Sequence, residues 1–184
     1  MTKKTVINVL LIALVVSFFV TPIGYYGKVW LNRLLAQTPE IILPENRERI
    51  ANYDWQLKNS KWDYINFDKS KGNVVFINFW ASWRLPCAAE LQEIQEVYNT
   101  YKGEVDFYII TDEERPPVEE FMIKNKFTFP VTYLIIGEKA PLDILEPPAS
   151  YILSKKGEIL VKEESIADWD NTTISNLLDI VIKE

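Results

Sequence analysis

Residues Val74 to Trp80, VVFINFW, form a nearly continuous run of β-branched and aromatic side chains. Such a run marks a strand buried on both faces, which needs a covering layer on each side. It therefore predicts a central position in the sheet of an α/β fold. The residues after it read WASWRLPC, Trp80 to Cys87, and Pro86 suits a first helical turn. From there Cys87, Leu91, Ile94, Tyr98 and Tyr101 recur at alternating spacings of four and three, predicting an amphipathic helix that ends near Gly103. A second buried strand is expected over Val105 to Thr111, and a helix beginning at Pro116-Pro117 with Val118, Phe121 and Met122 on one face. The order is β-α-β-α. Short β-type runs precede it, with Trp55 and Leu57, then Tyr64, Ile65 and Phe67, up to the turn Lys69 to Gly72. Further strands are expected at Val131 to Ile136, Tyr151 to Leu153 and Glu158 to Val161, and a closing helix from Thr172 to Ile182.

Composition removes several function classes. The chain has 184 residues, 48% of them hydrophobic, enough for one core plus an extension. It contains no histidine, which excludes Ser-His-Asp hydrolysis and histidine-based zinc sites. Its single cysteine excludes a Cys-rich metal site and any disulfide within one chain. A net charge of -6 argues against a nucleic-acid partner, which would need a basic surface. No phosphate-binding glycine loop is present, and neither a metal nor a cofactor is expected.

Lys3 and Lys4 precede an apolar run from Val6 to Val20, broken only by Asn8 and Ser17, and the uncharged stretch reaches Gly27. As one helix, a stretch of this length rises roughly 31 Å, close to the hydrocarbon thickness of a bilayer. Tyr25, Tyr26 and Trp30 would then sit at the far interface. No small-x-small site follows directly, so an uncleaved N-terminal membrane anchor is expected over residues 1–28. The two lysines suggest a cytoplasmic N-terminus and a domain on the extracytoplasmic, periplasmic side. Residues 29–50, with Thr38-Pro39 and a charged stretch from Pro44 to Arg49, read as a juxtamembrane stalk, and 51–184 as the folded domain. Beyond residue 28 the chain carries 26 acids against 17 bases, so this part should be soluble and repelled by anionic lipid.

A cysteine at a strand-to-helix turn lies where backbone N–H groups and the helix dipole favour a thiolate. At this point the chain resembles the TlpA/ResA-like branch of the thioredoxin superfamily, membrane-tethered thiol-disulfide oxidoreductases whose motif reads WASWC-x-PC. Seven of the eight positions fit, counting the variable one. The resemblance continues through Glu90, Phe129-Pro130-Val131, and Pro147-Pro148 leading into Ala149 to Leu153. It covers roughly residues 50 to 184, and implies a thioredoxin-like fold with a central mixed sheet flanked by helices. It also implies that Pro148 is the cis-proline facing the motif, and that Trp83, Pro86 and Pro148 border a substrate groove.

Arg84 stands where the family has its first cysteine. In the two-cysteine cycle the first thiolate attacks a partner disulfide, expelling one partner thiolate and leaving a mixed disulfide. The second thiolate attacks that bond, expels the other partner thiolate and closes an internal disulfide. A guanidinium stays protonated and is no nucleophile, so full dithiol turnover does not carry over to this chain. Three readings stay open. Cys87 is a small core residue in a pseudo-oxidoreductase whose groove binds a polypeptide; or it is a monothiol forming mixed disulfides with a protein or small thiol, aided by Arg84; or Arg84 is an anion clamp. A thiol peroxidase would need a threonine that WRLPC lacks.

Glu90, Glu93 and Glu96 recur at three-residue spacing and read as a solvated helix face. Asp112-Glu113-Glu114 reads as helix capping, and Asn171-Thr172-Thr173 as a cap or a glycosylation acceptor. Trp80 and Trp83 should pack around the motif, with Trp30, Trp55, Trp62 and Trp169 filling core or interface surface.

Overall fold

The run VVFINF becomes a strand with every residue buried, and a seven-stranded mixed sheet is built around it. The computed structural model describes residues 2–184. Elements follow in the order α1 (Lys3–Val20), α2 (Pro22–Leu35), β1 (Gln56–Asn59), β2 (Tyr64–Asn66), β3 (Val74–Phe79) and α3 (Leu85–Tyr101). Then come β4 (Val105–Thr111), α4 (Arg115–Asn125), β5 (Val131–Tyr133), β6 (Ala149–Leu153), β7 (Ile159–Glu163) and α5 (Thr172–Val181). The sheet order is β2-β1-β5-β4-β3-β6-β7. Strands β3, β4 and β5 run parallel, while β6, β7 and the β1–β2 hairpin are antiparallel to their neighbours. The strand expected to reach Ile136 stops at Tyr133, where the chain turns through Gly137 and leaves Ile136 in solvent.

Alternation along β3 divides the core. Val74 and Phe76 join Leu91 and Ile94 of α3, Ile174 and Leu178 of α5, and Trp169. Val75, Ile77 and Phe79 join Trp55, Leu57, Phe67 and the loop residues Leu142 and Leu145. This double cover is why β3 carries no polar alternation, Asn78 excepted.

The N-terminal run is not one helix. The Thr21 side chain accepts from Gly24 N–H and donates to the Ser17 carbonyl, and Pro22 has no N–H with which to continue the ladder. The chain bends there by 73°. Among the described residues no single helix is long and apolar enough to cross a membrane; by length and composition, α1 and α2 pass that test only together.

The boundary expected at residue 28 falls inside α2, and residues 29–50, read from the sequence as a juxtamembrane stalk, lie against the domain. Val29 is buried on α3, and Arg33 is paired with Glu93. Further on, Asp168 N–H donates to the Gln37 carbonyl at 3.0 Å and Ile42 N–H to the Leu160 carbonyl at 2.8 Å. Ile159 N–H donates to the Glu48 carbonyl at 2.8 Å and Ile50 N–H to the Gly157 carbonyl at 3.0 Å. The reason is the sheet edge: β7 has one side unpaired, and this extended segment satisfies its backbone groups. The approach is close enough that a Cβ on Gly157, where φ is +76°, would sit 2.7 Å from the Tyr53 hydroxyl.

Candidate active site

Parallel pairing of β3 with β4, with Phe79 opposite Ile110, brings both strand ends to one side of the sheet. Trp80 keeps one more ladder bond, to the Ile110 carbonyl at 2.9 Å, and the chain then turns into α3. Glu113, just past β4, braces that turn by accepting from the Ser82 backbone N–H and, at 2.7 Å, from its hydroxyl. Sequence reasoning placed Glu113 as a helix cap; Glu114 occupies the cap position of α4 and Glu113 points back to the motif. The signal was available in principle, because a residue following a parallel neighbour strand emerges beside the motif.

Arg84 is the residue before α3, and Pro86 sits in the first turn, where its missing N–H leaves no helical bond unmade. Cys87 is completely buried one residue further on. Burial pushes its thiol up to about 12; a hydrogen bond from the Ala81 backbone and the Arg84 charge oppose this, and Glu90 and Glu113 reinforce it. At neutral pH this sulfur is a thiol, hence a poor nucleophile.

Beneath the sulfur lies a buried polar group. Glu90, 1% exposed, accepts from Trp169 Nε1 at 2.6 Å and from Asn78 Nδ2 at 3.1 Å, and Asn78 Nδ2 also donates to Ser150 Oγ at 2.9 Å. Burial pushes the Glu90 carboxyl up to about 8 despite these bonds, so it is mostly protonated at neutral pH. The expected solvated face of Glu90, Glu93 and Glu96 is thereby corrected: only Glu96 is exposed. A three-residue step turns about 60° short of a full circle, so the three side chains walk from the sheet to α2 to water. Their partners come from far along the chain, which the local spacing does not display.

On the outer side, the 146–148 loop meets the motif. The Pro147–Pro148 peptide is cis. Arg84 Nη1 donates to the Pro147 carbonyl, Nη2 pairs with Glu146 Oε2 at 2.8 Å, and the guanidinium stacks over the Trp83 ring with 5.0 Å to its centroid. Of the two tryptophans expected to pack around the motif, Trp80 is fully buried and Trp83 is 70% exposed. A cavity of about 240 Å³ opens beside them, lined by Trp83, Arg84, Asp112, Leu134, Ile144 and Glu146 among others. Trp83, Arg84, Glu146 and Pro147 are thus gathered at one surface, while Pro86 and Pro148 are half-buried and line none of this cavity. Cys87 lies below it and lines none of this cavity. Glu146 was not singled out in the sequence, and no local pattern marks it. Among the described residues no three carboxylate or thiol side chains gather to hold a metal ion.

A mixed sheet whose central strand delivers a motif to a helix N-terminus, opposite a cis-proline, defines a thioredoxin fold. The model of the AhpC/TSA family matches residues 51–160, and the chain belongs to that family and to its ResA-like, thiol-disulfide oxidoreductase relatives. It is 33% identical over 137 residues to sporulation thiol-disulfide oxidoreductase A of Bacillus subtilis, covering 71% of this chain and 82% of that protein. It is 26% identical to thioredoxin-like protein YneN of the same organism, covering 86% and 88%. To thiol-disulfide oxidoreductase ResA of Oceanobacillus iheyensis it is 32% identical, covering 58% and 59%. Among solved structures, a DsbF homologue from Corynebacterium diphtheriae superposes with TM-score 0.60 at 15% identity, covering 80% of this chain and 94% of that one. A secreted thiol-disulfide isomerase from Corynebacterium glutamicum does so with TM-score 0.61 at 16% identity, covering 80% and 93%. At those identities the likeness establishes the fold alone.

Proposed function

We propose that this protein is a membrane-anchored, extracytoplasmic member of the thiol-disulfide family that has lost dithiol turnover and uses its motif surface to hold a polypeptide. The observation that carries this reading is the combination at the motif: an arginine in the attacking position, and a sole sulfur that is fully buried with its thiol pushed up to about 12. A buried, protonated thiol with no second cysteine can neither attack a partner disulfide readily nor resolve one. The surface above it remains furnished for binding, with an exposed Trp83, a stacked guanidinium and a partly apolar cavity. The anchor is the bent α1–α2 pair, with Lys3 and Lys4 on the cytoplasmic side.

The test is disulfide reduction by the full chain in detergent, with a peptide disulfide as substrate and a small dithiol as reductant. The natural protein should show no turnover above the uncatalysed exchange, and Arg84→Cys should gain it. Multiple turnovers by the natural protein would sink the proposal. Peptide binding to the full chain should survive Cys87→Ser, since the sulfur does not line the surface; loss of binding in that variant would favour the monothiol role instead.

A further inference from the structure

Helix α2 is apolar on two opposite sides. On one, Tyr25 and Val29 pack on the domain core, Arg33 pairs with Glu93 of α3, and Lys124 Nζ of α4 lies 5.3 Å from the centre of the Tyr25 ring. On the other, Tyr26, Trp30, Leu31, Leu34 and Leu35 are 47–69% exposed. At 100° per residue, Tyr26, Trp30 and Leu34 form one row, Leu31 and Leu35 the adjacent one, and together they lie roughly opposite Val29. A helix already docked on its own domain has no structural need for a second apolar strip, and a strip that meets water is costly.

Three observations identify what covers it. The strip follows α1 in the chain, and the apolar side chains of α1 from Val6 to Phe19 are exposed all around that helix. It carries Trp and Tyr among leucines, the composition that settles at a bilayer surface. Helix α2 has no acidic residue, and with Arg33 taken up by Glu93 on the inner face it keeps one further cation, Lys28, while the body behind it is strongly acidic.

We propose that α2 lies along the membrane–water interface as a platform, its outer strip sunk among the headgroups and its inner face bolted to α3. The occupant of the strip is the lipid surface. The body is then held flat on the membrane in one orientation, with no tether on which to swing. This inference rests on the reading of the bent α1–α2 pair as the anchor, with α1 entering the bilayer and α2 completing the pair at its surface.

Spin-label depth measurements on the full chain in phosphatidylcholine–phosphatidylglycerol vesicles test both readings separately. On a Cys87→Ser background, labels are placed by Leu10→Cys in α1, Leu34→Cys on the strip and Lys61→Cys at the exposed hairpin tip. The expected result is a label at position 10 deep in the hydrocarbon and one at position 34 roughly 5–10 Å below the headgroup boundary. Its accessibility to oxygen over a water-soluble nickel chelate should be several-fold above that at position 61. If position 10 is deep and position 34 is as open to nickel as position 61, the platform is overturned and the anchor stands. If position 10 is in water, the anchor reading fails and the platform with it. If position 34 is shielded from both reagents and its label broadens on raising protein density, a second copy covers the strip, and the lipid assignment is overturned.

Discussion

The two sides of the motif have opposite physical characters. The inner side, Cys87, Glu90, Asn78 and Trp169, is buried, with hydrogen-bonded partners up to 79 residues apart. The outer side, Trp83, Arg84 and Glu146, is half in water, and its guanidinium donates to the Pro147 carbonyl, stacks on Trp83 and pairs with a carboxylate that is 87% exposed. The difference teaches where the chain can change. A substitution at position 84 reaches into solvent and finds new partners there, whereas one beneath the motif would leave a buried donor or acceptor stranded.

The largest expected effect concerns the sulfur. With its pKa near 12 against about 8.5 for a free thiol, Cys87 in the native full chain should alkylate roughly three orders of magnitude more slowly than free cysteine at pH 7. Mass spectrometry after timed iodoacetamide exposure measures this; a rate close to free cysteine would put the sulfur on the outer side. Next, Trp169→Ala should destabilise by about 3–5 kcal/mol, because a fully buried indole packed on Phe76 is removed. Trp169→Phe, which deletes the donor to Glu90 but keeps a smaller aromatic ring in place, should cost about 1–3 kcal/mol. Denaturant titrations of the full chain in detergent separate the two, and a near-neutral alanine variant would deny the inner side its rigidity.

Glu90 sets a pH dependence. The folded protein keeps its proton up to about pH 8 while an ordinary glutamate releases it near 4.5, so the folded state binds more protons between those values. Its contribution to stability is therefore fully present below about 4.5 and falls as pH rises through 8. Glu90→Gln should flatten that slope, as read from melting temperatures across the window; an unchanged slope would place the titration elsewhere. The smallest effect belongs to the outer side. Arg84→Ala should cost no more than about 1 kcal/mol, since the carboxylate it pairs with is 87% exposed. It should also leave Cys87 alkylation slow, because burial is the first cause of the raised pKa. Faster alkylation in that variant would show that the arginine shields the sulfur, and the two sides would no longer be separable.

The scaffold was legible because it is written locally. VVFINFW is buried on both faces as a β3 of that composition must be, and the Cys87-to-Tyr101 spacing runs along α3. Asn171 caps α5 by accepting from Thr173 and Ile174 N–H groups. The site was legible only in its motif. Glu90 and Glu93 look like surface residues until Trp169 and Arg33 arrive from elsewhere in the chain to cover them. The bend at Thr21-Pro22 was written in a cap followed by a proline, signals that the uniform apolarity around them outweighed. The extended segment 37–50 has no periodicity to read, because backbone bonds to an edge strand make no demand on side-chain pattern.

That segment also determines where the polypeptide can be cut. The family match begins at residue 51, and a soluble fragment started there would strip the Ile42 and Glu48 contacts from Leu160 and Ile159 and bare the margin of the sheet. An expression boundary placed ahead of Gln37, whose carbonyl is held by Asp168, keeps the whole lacing. The family match and the laced unit therefore differ at this end by fourteen residues of unpatterned chain, counted from Gln37 to Ile50.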